Sequence, residues 1–145
     1  MKHSLMKFGP ICFGVVAMIA CGSDSTGPPS PLVGSYNAVV FVTTGSSGQT
    51  NQILAGSTLS INLSSNFSTT GHLHVVASAG APALDADMAG TWTQTGSTVT
   101  FSQAADTFVR NMNFTVAATG SSWELDGDQV FSGTQIVIRL SQVVL

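Results

Sequence analysis

Residues 58–75 read TLSINLSSNFSTTGHLHV, and this stretch decides the fold class. Apolar and polar side chains alternate on both sides of a central Ser-Ser-Asn, which is a turn signal. Leu59, Ile61 and Leu63 therefore share one face of a strand, and Leu73 lies on the matching face of the next strand. Alternation with period two is typical of a strand with one buried face, so the stretch predicts a β-hairpin.

A similar sequence pattern recurs along the rest of the chain. Gly56, Gly96 and Gly120 each precede two hydroxyl residues and then an alternating apolar run. Short alternating strands separated by Gly, Ser and Asn predict an all-β fold, and we expect an antiparallel up-and-down β-barrel of roughly eight strands, which closes and leaves no exposed edge. The alternative is an immunoglobulin-like β-sandwich.

The segment of residues 1–20 predicts a signal peptide. A short basic start precedes an apolar run over residues 8–20, which is too short for a bilayer core that needs about 20 residues. Residues 18–21 read MIAC and resemble the lipobox of bacterial lipoproteins, which is cleaved just before its cysteine. The resemblance implies a lipidated Cys21 that carries a diacylglyceryl thioether and an N-acyl chain. Palmitate is the acyl chain that we expect.

The residues after the cleavage site predict a tether and one domain. Residues 21–31 are rich in Gly, Pro and Ser, cannot bury apolar surface and therefore predict a flexible linker. The barrel domain then covers residues 32–145. We expect a lipid-anchored protein of the bacterial cell envelope, and Gly22 after the cysteine favours the outer over the inner membrane.

Charge narrows the range of partners. Of the four Lys and Arg residues, the two lysines leave with the signal peptide, so the mature chain keeps Arg110 and Arg139 against seven carboxylates. This sparse, mildly acidic charge argues against nucleic acid and anionic lipid as partners.

The mature chain resembles the small lipocalin-like, or calycin-type, domains of bacterial lipoproteins. The resemblance rests on Gly-Ser-Tyr at residues 34–36, the Gly-Ser-Thr hairpins, Gly-Thr-Trp at residues 90–92 and an apolar last strand that contains Arg139. In lipocalins an aromatic residue of the first strand is covered by an arginine of the last. The resemblance therefore implies a structural pairing of Tyr36 with Arg139.

The predicted strand at residues 107–116 supplies the candidate ligand site. Alternation places Arg110 on the same face as Phe108, Met112 and Phe114, and a cation among apolar neighbours needs a partner or a wet cavity. We expect Arg110 to orient an amphiphilic ligand such as a fatty acid inside the barrel. The candidate ligand-binding residues are Phe67, Leu73, Phe101, Phe108, Arg110, Met112 and Phe114.

The remaining clusters of polar residues do not predict a metal site or a catalytic site. His72 and His74 share one face of a strand, a spacing that can chelate zinc or copper, but solvent exposure explains them more simply and we predict no metal site and no cofactor. The carboxylates at residues 124–128 lack the pattern of a calcium loop, and no serine lies in a nucleophile elbow. The chain is therefore predicted not to be an enzyme.

Three functions remain open at this point. The leading hypothesis is a membrane-anchored, non-enzymatic barrel that binds a small apolar or amphiphilic ligand in its lumen. The main alternative is a solidly packed barrel that acts as a protein-interaction or inhibitor module. A hydrolase with its site in the Ser- and Thr-rich loops is the third.

Overall fold

The computed structural model describes residues 30–78 and 81–144. The predicted signal peptide and almost the whole predicted tether, with Cys21, lie outside these residues. The described chain forms ten strands and no helix. The strands are β1 Gly34–Gly45, β2 Gly48–Asn51, β3 Thr58–Leu63, β4 Ser68–Val75, β5 Leu84–Asp87, β6 Gly90–Thr95, β7 Thr98–Gln103, β8 Asn113–Thr119, β9 Ser122–Phe131 and β10 Thr134–Gln142.

Eight of these strands close into an antiparallel barrel. The order is β10-β9-β8-β7-β6-β4-β3-β1, and β1 pairs with β10 to complete the ring. Tyr36 lies opposite Gln142 and Phe41 lies opposite Ile138 in this closing pair. The predicted barrel is therefore confirmed. The sandwich alternative is wrong, because all the strands belong to one sheet that closes on itself through the pairing of β1 with β10.

The two remaining strands extend the barrel at one end. β2 pairs with the second half of β1, and β5 pairs with the second half of β4. We call this end the mouth; it holds the β1–β2, β2–β3, β4–β5 and β9–β10 connections. We call the opposite end, where β1 begins, the base.

The barrel interior is a packed apolar core. The inward faces of the strands bury large side chains completely, and the ring centroids of Phe101 and Phe114 lie 4.8 Å apart. The Phe41 and Phe108 rings lie 5.5 Å apart. The fully buried large side chains are Trp92, Tyr36, Phe41, Phe101, Phe114, Leu32, Ile61, Leu63, Leu73, Met88, Met112 and Leu125.

Glycines on the inner wall allow the strands and side chains to approach this closely. A Cβ added at Gly71 would lie 2.1 Å from the main-chain oxygen of Ser60, and φ at Gly71 is +145°. Only glycine adopts that conformation without strain, which explains why β4 carries a glycine at this inward position.

Candidate functional site

The base of the barrel is closed by residues on both sides of the ring. Leu32 is buried just before β1, and the Tyr36 hydroxyl donates a hydrogen bond of 2.8 Å to the Leu32 carbonyl oxygen. The Trp92 indole N–H donates to the Ser64 carbonyl oxygen at 3.0 Å. Burial of the Tyr36 hydroxyl raises its pKa well above the ordinary value. The phenol therefore stays protonated and serves as a donor inside the base.

The mouth is closed from within by the segment of residues 104–112, between β7 and β8. The Ala104 N–H donates to Ala89 on one wall at 2.9 Å, and the Phe108 ring contacts Phe41 on the opposite wall. Gln129 of β9 donates to the Phe108 carbonyl oxygen. The segment thus crosses the interior and caps the core.

Arg110 lies on the outer side of this cap. The prediction of one continuous strand over residues 107–116 is wrong, because residues 108–111 form turns and β8 begins at Asn113. The turns rotate Arg110 to the surface, where Nη1 lies 3.1 Å from Oδ1 of Asp106. Phe108 and Met112 remain buried, so the two apolar predictions hold and the inward-facing cation does not.

The other ligand-binding candidates divide in the same way. Leu73, Phe101 and Phe114 are completely buried and belong to the core. Phe67 is not an interior residue: it lies in the turn before β4 with φ of +64°, is 47% exposed and packs against Trp92 at 5.2 Å between ring centroids.

The implied pairing of Tyr36 with Arg139 is not made. Tyr36 points inward at the base, whereas Arg139 points outward because its neighbours Ile138 and Leu140 take the inner face of β10. Nε of Arg139 lies 2.6 Å from Oδ1 of Asp126 on β9, and this contact raises the pKa of the guanidinium. β1 does pair with β10, but the Tyr36 and Arg139 side chains lie on opposite faces of the sheet.

A cluster of imidazoles and carboxylates occupies the outer face of β4 and β5. Oδ1 of Asp85 lies 2.6 Å from Nδ1 of His74 and 3.3 Å from Nε2 of His72, and Oδ1 of Asp87 lies 3.4 Å from Nδ1 of His72. The contacts with Asp85 and Asp87 raise the pKa of His72, and the two histidines lower the pKa of Asp85. The described residues include no group of three or more His, Cys, Asp or Glu side chains arranged to hold a metal ion.

A cleft of about 440 Å³ opens at the mouth, outside the packed core. One wall is the β1–β2 extension and the other is the segment of residues 76–78 after β4. Gln52 fixes the floor: its Nε2 donates to Thr43 Oγ1 at 2.8 Å, and its Oε1 accepts from Ser57 Oγ at 3.1 Å. The Val76 N–H in turn donates to Ser57 Oγ at 3.1 Å, which ties the two walls together.

The described lining of the mouth cleft is mostly polar and carries no charge. Six of its side chains end in hydroxyl groups or an amide, and glycine, alanine and Val76 supply the rest of the surface. Sequence reasoning missed this cleft, because its polar residues come from three strands and three connections that the sequence gives no reason to bring together. The polar side chains are Thr43, Ser47, Thr50, Gln52, Ser78 and Thr134.

Comparison of the chain with known proteins finds no matching family model, no matching curated protein and no matching solved structure. The lipocalin-like resemblance is therefore supported at the level of the closed barrel alone, and a shared fold does not specify a function. No helix in the described residues is long and apolar enough to span a membrane.

Proposed function

We propose that this chain is a membrane-anchored, non-enzymatic lipoprotein of the cell envelope whose packed barrel recognises its partner or ligand with its outer surface. The observation that carries the proposal is the filled interior: aromatic and aliphatic side chains occupy it, and the 104–112 segment and Leu32 cap its two ends. A ligand site needs accessible space with a few polar groups, and such a site lies outside the core.

The position of Arg110 favours this proposal over a lumen site for fatty acids. A fatty-acid carboxylate in an apolar cavity needs a charge partner, because an unpaired buried charge costs several kcal/mol. Arg110 lies outside with Asp106, and Arg139 lies outside with Asp126. Because both arginines of the domain point outward, the lumen hypothesis lacks the cation that it requires.

The anchor gives the barrel a direction. Ser30, the first described residue, contacts Gln94 of β6 through its hydroxyl at 3.4 Å, at the base. Ser30 lies nine positions after Cys21, and an extended chain over that interval reaches about 30 Å. An acylated Cys21 would therefore attach the membrane anchor at the base, the end of the barrel opposite to the mouth.

Substitution of Cys21 tests the anchor, and Cys12 provides the matched control. Cys12 belongs to the predicted signal peptide and leaves with it. We expect Cys21→Ser to abolish membrane fractionation and labelling with radioactive palmitate, while Cys12→Ser behaves as the wild type. Unchanged membrane fractionation and labelling of Cys21→Ser would overturn the lipoprotein assignment.

A lipid-probe titration tests the outer-surface recognition. We expect a fluorescent fatty acid to show no saturable binding to the mature chain, because the interior is filled. Saturable binding at one site per chain, displaced by unlabelled fatty acid, would restore the lumen hypothesis in place of this proposal.

A further inference from the structure

We propose that the mouth cleft binds a neutral carbohydrate. This inference rests on the proposed function, because an anchor at the base leaves the mouth open to soluble ligands of the cell envelope. The chemistry of the lining, one exposed aromatic ring nearby and the shape of the cleft favour such a ligand.

The lining matches a ligand that both donates and accepts hydrogen bonds without charge. Each hydroxyl of Thr43, Thr50 and Thr134 can do both, and the Gln52 amide has a second N–H beyond the one donated to Thr43. Sugar hydroxyl groups have the same dual capacity. An ionic ligand would lose its hydration without meeting an opposite charge among the described lining residues, which makes it a poor occupant.

An aromatic residue, Phe131, is the strand partner of Thr134, one of the residues that line the cleft. Phe131 lies directly opposite Thr134 across the β9–β10 hairpin. Residues paired in this way have their side chains on one face of the sheet, with Cβ atoms about 4.5–5.5 Å apart. The Phe131 ring is 42% exposed and packs edge-to-face with Phe108, at 6.5 Å between centroids. Phe131 thus lies next to a lining threonine, and a sugar that extends past Thr134 would meet its exposed ring.

The floor and the size of the cleft suit a small, rigid ligand. The bonds among Thr43, Gln52 and Ser57 hold the polar floor in place, so binding does not need to order it. The volume of about 440 Å³ falls within the range of small-molecule sites. Gly45 and Gly48 add no side chain to the β1–β2 wall, which keeps the cleft open.

An extended peptide is the competing occupant. β2 ends the strand order, so within the described chain its outer edge has no neighbouring strand. A peptide could add to such an edge by main-chain hydrogen bonds. The carbohydrate is favoured because all four residues of β2 are exposed and polar or glycine, and offer no apolar pocket for alternate peptide side chains.

The test is a titration of the full mature chain with glucose, N-acetylglucosamine and maltose, monitored by isothermal calorimetry and amide NMR shifts. The protein is used in nanodiscs made of lipids without sugar headgroups if it fractionates with membranes, and in buffer otherwise. We expect saturable binding of at least one neutral sugar, with shifts centred on Thr50, Gln52 and Thr134. Glucuronate should bind more weakly than glucose, because its carboxylate lacks a partner.

Variants show whether the mouth is responsible. Thr50→Val keeps the shape and removes one hydroxyl, and we expect affinity to fall by about two- to twelvefold, the range for one net hydrogen bond. Phe131→Ala should weaken binding by a similar factor. Thr93→Val, on an exposed position of β6 away from the cleft, is the matched control and should leave affinity unchanged.

Three results would overturn the carbohydrate site. They are the absence of saturable binding for all neutral sugars, undiminished binding in both Thr50→Val and Phe131→Ala, and saturable binding of an extended peptide in place of sugar. None of these depends on acylation, so a failed titration leaves the anchor at Cys21 standing. A failed anchor, in turn, leaves the titration valid.

Discussion

Gly127→Ala is the sharpest probe of the filled interior. Gly127 lies on the inner side of β9, between Phe114 of β8 and Ile138 of β10. An added Cβ would lie 2.6 Å from Cε of Met112 and 2.7 Å from Cε1 of Phe114. Both neighbours are completely buried, and the Phe114 ring is held against Phe101. The extra methyl group therefore has no space unless the core shifts.

Two effects of opposite sign determine the magnitude. φ at Gly127 lies outside the left-handed region, so alanine causes no backbone strain and, by restricting the unfolded chain, would stabilise the protein by about 0.4–1 kcal/mol. Overpacking a well-packed core costs about 1–3 kcal/mol. We expect a net loss of about 1–2 kcal/mol, because the overpacking exceeds the entropic gain. For a domain of this size that lowers Tm by about 4–8 °C.

Thermal and urea denaturation of the mature chain would measure the change. Gly45→Ala is the control, since its added Cβ meets only Thr134 Oγ1, at 3.7 Å, and its φ is also outside the left-handed region. We expect Gly45→Ala to be neutral or stabilising. Combining Gly127→Ala with Met112→Ala should cost less than the sum of the two single changes, because the second removes one of the two clashing side chains. If Gly127→Ala were as stable as the wild type, the interior beside β9 would have room and the packed-barrel reasoning would be refuted.

Individual contacts carry four further predictions. Tyr36→Phe should lower the free energy of unfolding by about 1–3 kcal/mol, because it leaves the buried Leu32 carbonyl without its donor; an unchanged urea midpoint would contradict this. The NMR titration midpoint of His72 should lie above its ordinary value of 6.5, and Asp85→Asn should lower it. The folded pKa of His72 is raised from 6.5 and that of Asp85 is lowered from 3.8, so their mutual stabilisation should be greatest between pH 3.8 and pH 6.5. It should fade as pH rises through the folded pKa of His72 or falls through the folded pKa of Asp85. A stability profile that is flat with pH would argue against the cluster. Arg110→Met should change stability by less than about 1 kcal/mol, as is usual for an exposed ion pair, and a larger loss would place Arg110 in the interior after all.

The sequence predicted the fold because alternation survives wherever the backbone stays extended. In β3, β7 and β10 every residue predicted to point inward is buried, including Leu59, Phe101 and Ile138. The same rule failed between β7 and β8, where the chain turns and buries the consecutive residues Thr107, Phe108 and Val109 instead of alternate ones. Phe108 and Met112 kept their burial, but the turns reversed the direction of Arg110.

What the sequence determined by itself is local: the period-two strands, their turn residues, and the expectation of a lipidated Cys21 ahead of a tether. The tertiary structure alone decided which residues meet across the barrel. It placed Arg139 against Asp126 instead of Tyr36, because a side chain's face is set by its parity in the strand and its partner by the register between strands. It also assembled the mouth cleft from residues that lie up to 91 positions apart, Thr43 and Thr134, because closing the barrel brings β1 beside β10.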